Sequence, residues 1–208
     1  MRLAFASIVL LTAACAIHQP KVRLPEEPPL AATTRAGDFA TYPLQRVGLL
    51  PFVGGDLDVQ RAAELQRVFA LELGERAPFE VVALDAQDLE AVDVSDPHRR
   101  GFYRTTTIIE LARRYRLDGL MVGTVTELRT YTPQRLSLQL ELVSAETGQA
   151  IWNATLALDS GSERVKRSID VWCNNHRAST LAPESSDLVL LSPARFAHFA
   201  AYEVARVL

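Results

Sequence analysis

Hydrophobic residues recur along the chain with two different periods, and the changes of period predict where strands and helices lie. The continuous apolar run RVGLLPFV, residues 46–53, is typical of a buried strand. Over residues 58–76 the apolar positions recur every three or four residues, which predicts an amphipathic helix. Its apolar stripe consists of Ala62, Leu65, Phe69 and Leu73. A second strand at residues 79–84, FEVVAL, precedes a short helix that Asp85 would cap.

The second half of the chain predicts one more strand and then a hairpin. Thr107 and Glu110 have the spacing of a capping box, so we expect a helix to begin there. A strand is predicted at residues 120–128. Leucines at every second position of residues 136–142, and apolar residues at every second position of 152–158, predict two antiparallel strands.

Two helices are predicted to close the chain. The first covers residues 162–177, and the second begins at Ser192, which would cap it with Pro193 in the first turn. The predicted order is therefore β-α-β-α-β-β-β-α-α. Because a β-α-β unit favours parallel pairing and a hairpin is antiparallel, residues 45–208 are expected to form one α/β (α+β) domain. Its core would be a mixed five-stranded sheet with packed helices.

The amino terminus has the features of an export signal. Arg2 supplies a positive charge, residues 3–11 are apolar but too few to span a bilayer, and small residues precede Cys15. We therefore predict a signal peptide at residues 1–14. The small residues followed by cysteine resemble the lipobox of bacterial lipoproteins. That resemblance implies that Cys15 is acylated, for example with palmitate, and that Ala16 directs the protein to the outer membrane. A plain secretory signal with an incidental cysteine is the alternative.

Residues 15–44 are predicted to be a tether that begins at the lipidated cysteine. The segment contains five prolines after Cys15 and little hydrophobic periodicity. Proline-rich chains favour an extended conformation, so such a tether could reach about 85 Å. We expect it to hold the domain off the membrane and to stay outside the fold.

Charge and cysteine content exclude several classes of function. The net charge of −3 is unsuited to nucleic acid, whose binding depends on neutralising phosphates. If Cys15 carries lipid, Cys173 has no disulfide partner in the chain and is expected to be a small buried hydrophobe. A Cys15–Cys173 disulfide is the alternative. Cys173 and His176 could share a helix face, but further metal ligands are missing nearby. We expect no catalytic residue, metal or cofactor.

Two surface features are candidates for partner binding. The first is an arginine cluster that could meet an anionic polymer, such as a glycan, or an acidic protein face. The cluster consists of Arg99, Arg100, Arg104, Arg113, Arg114 and Arg116. The second is a contact loop at a strand end, formed by Tyr131, Thr132 and Pro133. The alternatives are a solvated helix face and a plain turn.

Three segments resemble one known superfamily. They are Arg46 to Phe52, the D-x-x-x-x-G-x-V pattern at Asp118 to Val125, and L-V-x-A-x-T-G-x-x-x-W at Leu142 to Trp152. Together with the surrounding run 118–160, they resemble the periplasmic lipoproteins. That superfamily includes the curli-secretion lipoprotein, activators of penicillin-binding proteins and a ring-forming lipoprotein of exopolysaccharide export. The resemblance implies an assembly or regulatory role rather than catalysis.

We therefore expect a non-enzymatic lipoprotein on the periplasmic face of the outer membrane. It would bind protein or glycan partners in the assembly, export or regulation of envelope components, with homo-oligomerisation as an option. Its partners would include the membrane, through the lipid, but not nucleic acid. The alternatives are an envelope hydrolase or transferase acting on cell-wall or polysaccharide material, and a cytosolic or inner-membrane protein whose Cys15 carries no lipid. The sequence alone does not name the partner or the pathway.

Overall fold

A computed structural model describes residues 23–54, 57–90, 105–176 and 185–208. The lipidation candidate Cys15 and the predicted signal peptide lie outside these ranges. So do three arginines of the predicted cluster, Arg99, Arg100 and Arg104.

The described strands form one six-stranded mixed sheet with the order β1-β6-β5-β4-β2-β3. Strand β2 pairs in parallel with β3 and β4, whereas β4, β5 and β6 form an antiparallel meander whose edge pairs with β1. The predicted hairpin is confirmed, because the leucines of β5 stand opposite the apolar residues of β6. The strands are β1 (Ala32–Arg35), β2 (Arg46–Leu49), β3 (Glu80–Ala83), β4 (Gly119–Arg129), β5 (Arg135–Ser144) and β6 (Ala150–Asp159).

Six α-helices pack against this sheet. They are α1 (Val59–Arg76), α2 (Ala86–Glu90), α3 (Thr105–Tyr115), α4 (Glu163–His176), α5 (Ser186–Leu191) and α6 (Pro193–Ala205). The predicted caps are confirmed at Asp85 and Ser192, whose side chains accept backbone N–H groups of the first turns of α2 and α6. The capping box at Thr107 is wrong, because Thr107 lies inside α3. Helix α5 was not predicted, since its stretch of the chain is short and polar on one side.

The sheet has six strands rather than the predicted five, and the additional strand β1 lies in the segment expected to be a tether. Four consecutive residues, Ala32 to Arg35, pair with residues 152–155 of β6. The neighbouring Ala31 is buried in the core. The exposed edge of β6 offers unpaired backbone groups, and a short segment with two threonines can satisfy them without contributing an apolar stripe. Hydrophobic periodicity therefore did not predict this strand.

The core has two layers of unequal size. On one face of the sheet, α1, α4 and α6 cover the leucines of β5 together with Trp152 and its neighbours on β6. On the other face, α2 and α3 cover a smaller cluster around Leu111 and Leu120. No described helix is long and apolar enough to cross a membrane.

Candidate functional site

A groove of about 550 Å³ opens where α1, the β4–β5 turn and the first turns of α6 meet. These elements are far apart in the sequence, and the packing of α6 along α1 brings them together. The floor of the groove is apolar. Its buried apolar side chains are Leu65 and Val68 from α1, Leu136 from β5 and Phe196 from α6, and the buried Gln134 also lines the groove. We call this feature the α1–α6 groove.

Arginines dominate the rim of the α1–α6 groove. Four of them line it against a single carboxylate, that of Glu64. The arginines are Arg61, Arg67, Arg129 and Arg135. Two of the four also pair with carboxylates just outside the groove, Arg61 with Asp58 and Arg135 with Asp159 and Glu127, whereas Arg67 and Arg129 make no ion pair with the described part of the chain. Guanidinium groups without an ion pair can bind carboxylates at the edge of an apolar contact.

The turn between β4 and β5 holds one of these arginines in place and contains the predicted contact loop. The Nε–H of Arg129 donates to the Pro133 carbonyl at 2.7 Å, and its guanidinium lies 5.2 Å from the centre of the Tyr131 ring. The Tyr131 side chain is 70% exposed despite its size. The predicted loop Tyr131–Thr132–Pro133 is thus the tip of this turn, next to the groove. Its binding role stays a prediction.

A second rim arginine is fixed by an ion pair. The Nε–H of Arg135 donates to Asp159 at 2.9 Å, and Glu127 lies on the other side of the guanidinium. The backbone N–H of Gly161, together with Arg135, lowers the pKa of Asp159 below its ordinary value. The charge of Asp159 in turn raises the pKa of Arg135. Both arginines at this end of the groove are therefore held in defined positions before any partner arrives.

A buried carboxylate supports the wall of the groove from behind. Glu72 of α1 is 3% exposed, and its carboxylate lies 3.8 Å from Nδ1 of His198 and 3.9 Å from Nε of Arg76. The Arg76 guanidinium also lies 4.7 Å from the centre of the Tyr202 ring, which ties α1 to α6. This arrangement compensates a buried charge, as burial requires. It also keeps α1 and α6 close together below the groove.

The described part of the predicted arginine cluster lies elsewhere. Arg113, Arg114 and Arg116 are exposed at the end of α3, beside the first residue of β4. The α1–α6 groove lies at the far end of that strand, about 35 Å away for eleven residues of extended chain. Arg113 lines a separate depression of about 300 Å³ together with Asp118 and Glu146. The structure therefore does not bring these three arginines to the groove, and anion binding by them stays a prediction.

The cysteine and histidine of α4 have structural roles. Cys173 is 4% exposed within the core, which confirms the prediction of a small buried hydrophobe. The ring of His176 donates from Nδ1 to the Trp172 carbonyl at 2.9 Å and packs edge-on against Tyr202. Among the residues of the described ranges, no group of three or more potential ligands is placed to hold a metal ion.

The segment before β1 is bound along α4, away from the groove. The backbone N–H and C=O of Leu24 both pair with the side-chain amide of Asn175, near the end of α4. Five residues later, the Pro29 carbonyl accepts from Arg164, near the start of the same helix. The segment therefore runs antiparallel to α4. We call residues 24–31 the strap.

An ion pair at the end of α6 fastens the strap. The carboxylate of Glu203, which is 1% exposed, accepts from the Leu30 backbone N–H at 2.6 Å and from Arg206 at 2.9 Å. Arg206 also donates to the Glu27 carbonyl at 2.6 Å. Burial alone would lower the pKa of Arg206, but the charge and hydrogen bond of Glu203, together with Tyr202 and Glu26, outweigh it and the pKa is raised. The strap is thus bound by charged groups that are themselves largely buried.

Comparison with solved structures finds several at low sequence identity. They include the PelC dodecamer from Paraburkholderia phytofirmans, with 16% identity over 66% of this chain and 87% of that chain, at a TM-score of 0.45. Lipoprotein GNA1162 from Neisseria meningitidis has 19% identity over 65% of this chain and 98% of that chain, at a TM-score of 0.44. The C-terminal domain of LpoB from Escherichia coli has 16% identity over 58% of this chain and 92% of that chain, at a TM-score of 0.39.

No family model matches the chain, and no curated protein matches it. TM-scores below 0.5 give the solved structures no weight for partner or activity. The function proposed below is therefore based on the residues of this chain.

Proposed function

We propose that the protein is a non-enzymatic envelope lipoprotein. Residues 1–14 would direct export and be removed, and acylated Cys15 would anchor the chain to the periplasmic face of the outer membrane. The domain would bind a protein partner at the α1–α6 groove. Two or three acyl chains suffice for stable anchoring, because each buried methylene contributes about 0.8 kcal/mol.

The observation that carries this proposal is the position of the strap relative to the groove. Leu24 is held where α4 ends, whereas α4 begins beside the β4–β5 turn, at Gly161 and Pro133. The fourteen residues of α4 extend over about 21 Å. The chain thus enters the domain at the end opposite to the groove, so a lipid at the amino terminus would leave the groove facing the periplasm.

The strap also limits the distance between anchor and domain. Only eight residues lie between Cys15 and Leu24, and a chain of that length reaches at most about 30 Å. The expected tether of residues 15–44 is shorter in this proposal, because its second half is bound to the domain. A short segment between the lipid and Leu24, which is held at the end of α4, would orient the domain on the membrane.

The chemistry of the groove supports a protein partner. Protein interfaces combine a buried apolar centre with a polar rim and are enriched in arginine and tyrosine. The α1–α6 groove has an apolar floor, four arginines at its rim and the exposed Tyr131 beside it. This arrangement suits binding of a protein partner, which requires no acid–base pair of catalytic residues.

Acylation is tested by labelling cells with a palmitate analogue. The wild-type protein and Cys173→Ala, the matched cysteine control, should take up label and sediment with outer membranes. Cys15→Ala should take up none. Equal labelling of the wild type and Cys15→Ala, or a mature chain that keeps residues 1–14, would contradict the anchor.

Partner binding is tested by placing a photo-crosslinking amino acid in the groove. Leu71 lies at the groove and is 43% exposed, so a crosslinker there should trap a discrete envelope protein in intact cells. A crosslinker at the exposed Thr155, on the opposite face of the sheet, is the control. Identical adducts from both positions would argue against a specific site at the groove.

A further inference from the structure

We infer that the α1–α6 groove receives an acidic amphipathic helix of the partner protein. This inference rests on the proposed function in one respect only, namely that the groove is the partner-binding site. The inference specifies that the partner's binding segment is helical in conformation and acidic in charge. It is independent of the lipid anchor.

The first argument is the spacing of the α1 residues that line the groove. They recur every three or four residues along one stripe of the helix, which is the pattern by which one helix packs against another. These residues are Arg61, Glu64, Leu65, Val68 and Leu71. Helix α6 lines the groove on one side through Phe196 and Ala197, and the β4–β5 turn with its flanking strand ends lines it as well. The groove thus has two helical walls into which a third helix fits, as in other helix-in-groove complexes.

The second argument is the length of the open stripe. From Arg61 to Leu71, α1 rises about 15 Å, or nearly three turns. A bound helix of that length presents apolar anchors at positions i, i+3 or i+4, and i+7. A volume of about 550 Å³ accommodates a few such side chains rather than a whole domain.

The third argument is charge complementarity. Arg67 is exposed and makes no ion pair with the described part of the chain, and Arg61 pairs only with the exposed Asp58. Arg129, beside the β4–β5 turn, likewise makes no ion pair there, whereas Arg135 is held by Asp159 and Glu127. Guanidinium groups bind carboxylates through paired hydrogen bonds. A helix with apolar anchors flanked by glutamates or aspartates would satisfy the rim and the floor together.

The test uses a displayed library of 18-residue peptides. Their apolar positions follow a helical stripe, and the remaining positions are randomised among Glu, Lys, Gln and Ser. The library is selected against the full mature chain in detergent micelles. We expect enriched peptides to be acidic, to become helical when bound, and to bind less tightly as salt is raised. Enrichment of basic or neutral peptides would overturn the inference.

Two double variants with the same change of charge identify the binding surface. Arg61→Glu with Arg67→Glu should weaken binding of the selected peptide about tenfold or more, because it reverses the potential at the rim. Arg113→Glu with Arg116→Glu, at the far end of β4, should change it less than about twofold. Equal losses from both pairs would mean that only the overall charge matters, which would overturn the groove as the site.

Other occupants give different results. A second copy of this chain would appear as concentration-dependent association that Leu71→Glu abolishes and the acidic peptide prevents. A lipid surface would appear as binding to phosphatidylglycerol vesicles that Arg61→Glu with Arg67→Glu removes, with no selected peptide. Either result would overturn the helix proposal. Failure of palmitate labelling at Cys15 would remove the anchor and leave the peptide result unaffected, so the two proposals fail separately.

Discussion

Replacing Glu203 by glutamine should loosen the strap and lower the stability of the whole domain. The carboxylate is almost fully buried and accepts from two donors, the Leu30 backbone N–H and the Arg206 guanidinium. Glutamine keeps one oxygen, but its amide nitrogen would face one of these donors. The substitution therefore removes a charge-assisted hydrogen bond and leaves a buried donor unsatisfied.

The magnitude follows from the environment of the pair. A hydrogen bond to a charged group contributes about 1.5–3 kcal/mol, and breaking a buried ion pair costs about 3–5 kcal/mol. Arg206 retains the Glu27 carbonyl as a partner, which reduces the penalty. We expect Glu203→Gln to lower the free energy of unfolding by about 2–4 kcal/mol. In a chain of this size, that corresponds to a fall in melting temperature of roughly 5–15 °C.

Urea unfolding measures the loss of stability, and trypsin cleavage after Arg35 measures release of the strap and β1. Both should respond to Glu203→Gln, with faster cleavage preceding global unfolding. Glu163→Gln is the matched control, because its partner Lys166 is on the surface and the pair is solvated. If Glu203→Gln unfolds at the same urea concentration as the wild type, the buried pair does not hold the strap. The proposed orientation of the domain on the membrane would then be unsupported.

Two further predictions concern the core and the groove. A Cβ at Gly123 would lie 2.3 Å from the ring of Phe52, so Gly123→Ala should destabilise by about 1–3 kcal/mol in urea unfolding. Gly74→Ala, which meets no atom within 4 Å, should stabilise α1 by up to about 1 kcal/mol, and a loss of similar size in both variants would contradict the packing argument. Because the pKa of Asp159 is lowered, its contribution to stability is present above the ordinary aspartate pKa and is lost as pH falls through the lower, folded value. Side-chain NMR titration of Asp159 should show that lowered pKa, and an ordinary value would mean that Gly161 and Arg135 do not hold the carboxylate.

The two groups of arginines illustrate how much of the candidate site could be predicted. Arg113, Arg114 and Arg116 are close in the sequence and are exposed at the end of α3, away from the groove. The four groove arginines come from α1 and from both sides of the β4–β5 turn. Proximity in sequence was therefore a poor guide to a shared surface. The only local signal for the groove was the exposed aromatic and proline at 131–133, which pointed to the correct end of the sheet.

The sequence by itself determined the elements whose stabilisation is local. Alternating leucines specified the hairpin of β5 and β6 because a shift of one residue would expose the whole apolar face. Asp85 and Ser192 marked helix starts because their side chains satisfy N–H groups three residues away. Only the tertiary structure decided that residues 32–35 join the sheet, that the strap follows α4, and that α1 and α6 leave a groove between them. Strand β1 and the strap depend on backbone edges and charged groups that are more than a hundred residues apart in the sequence. The local period of hydrophobic residues does not predict such contacts.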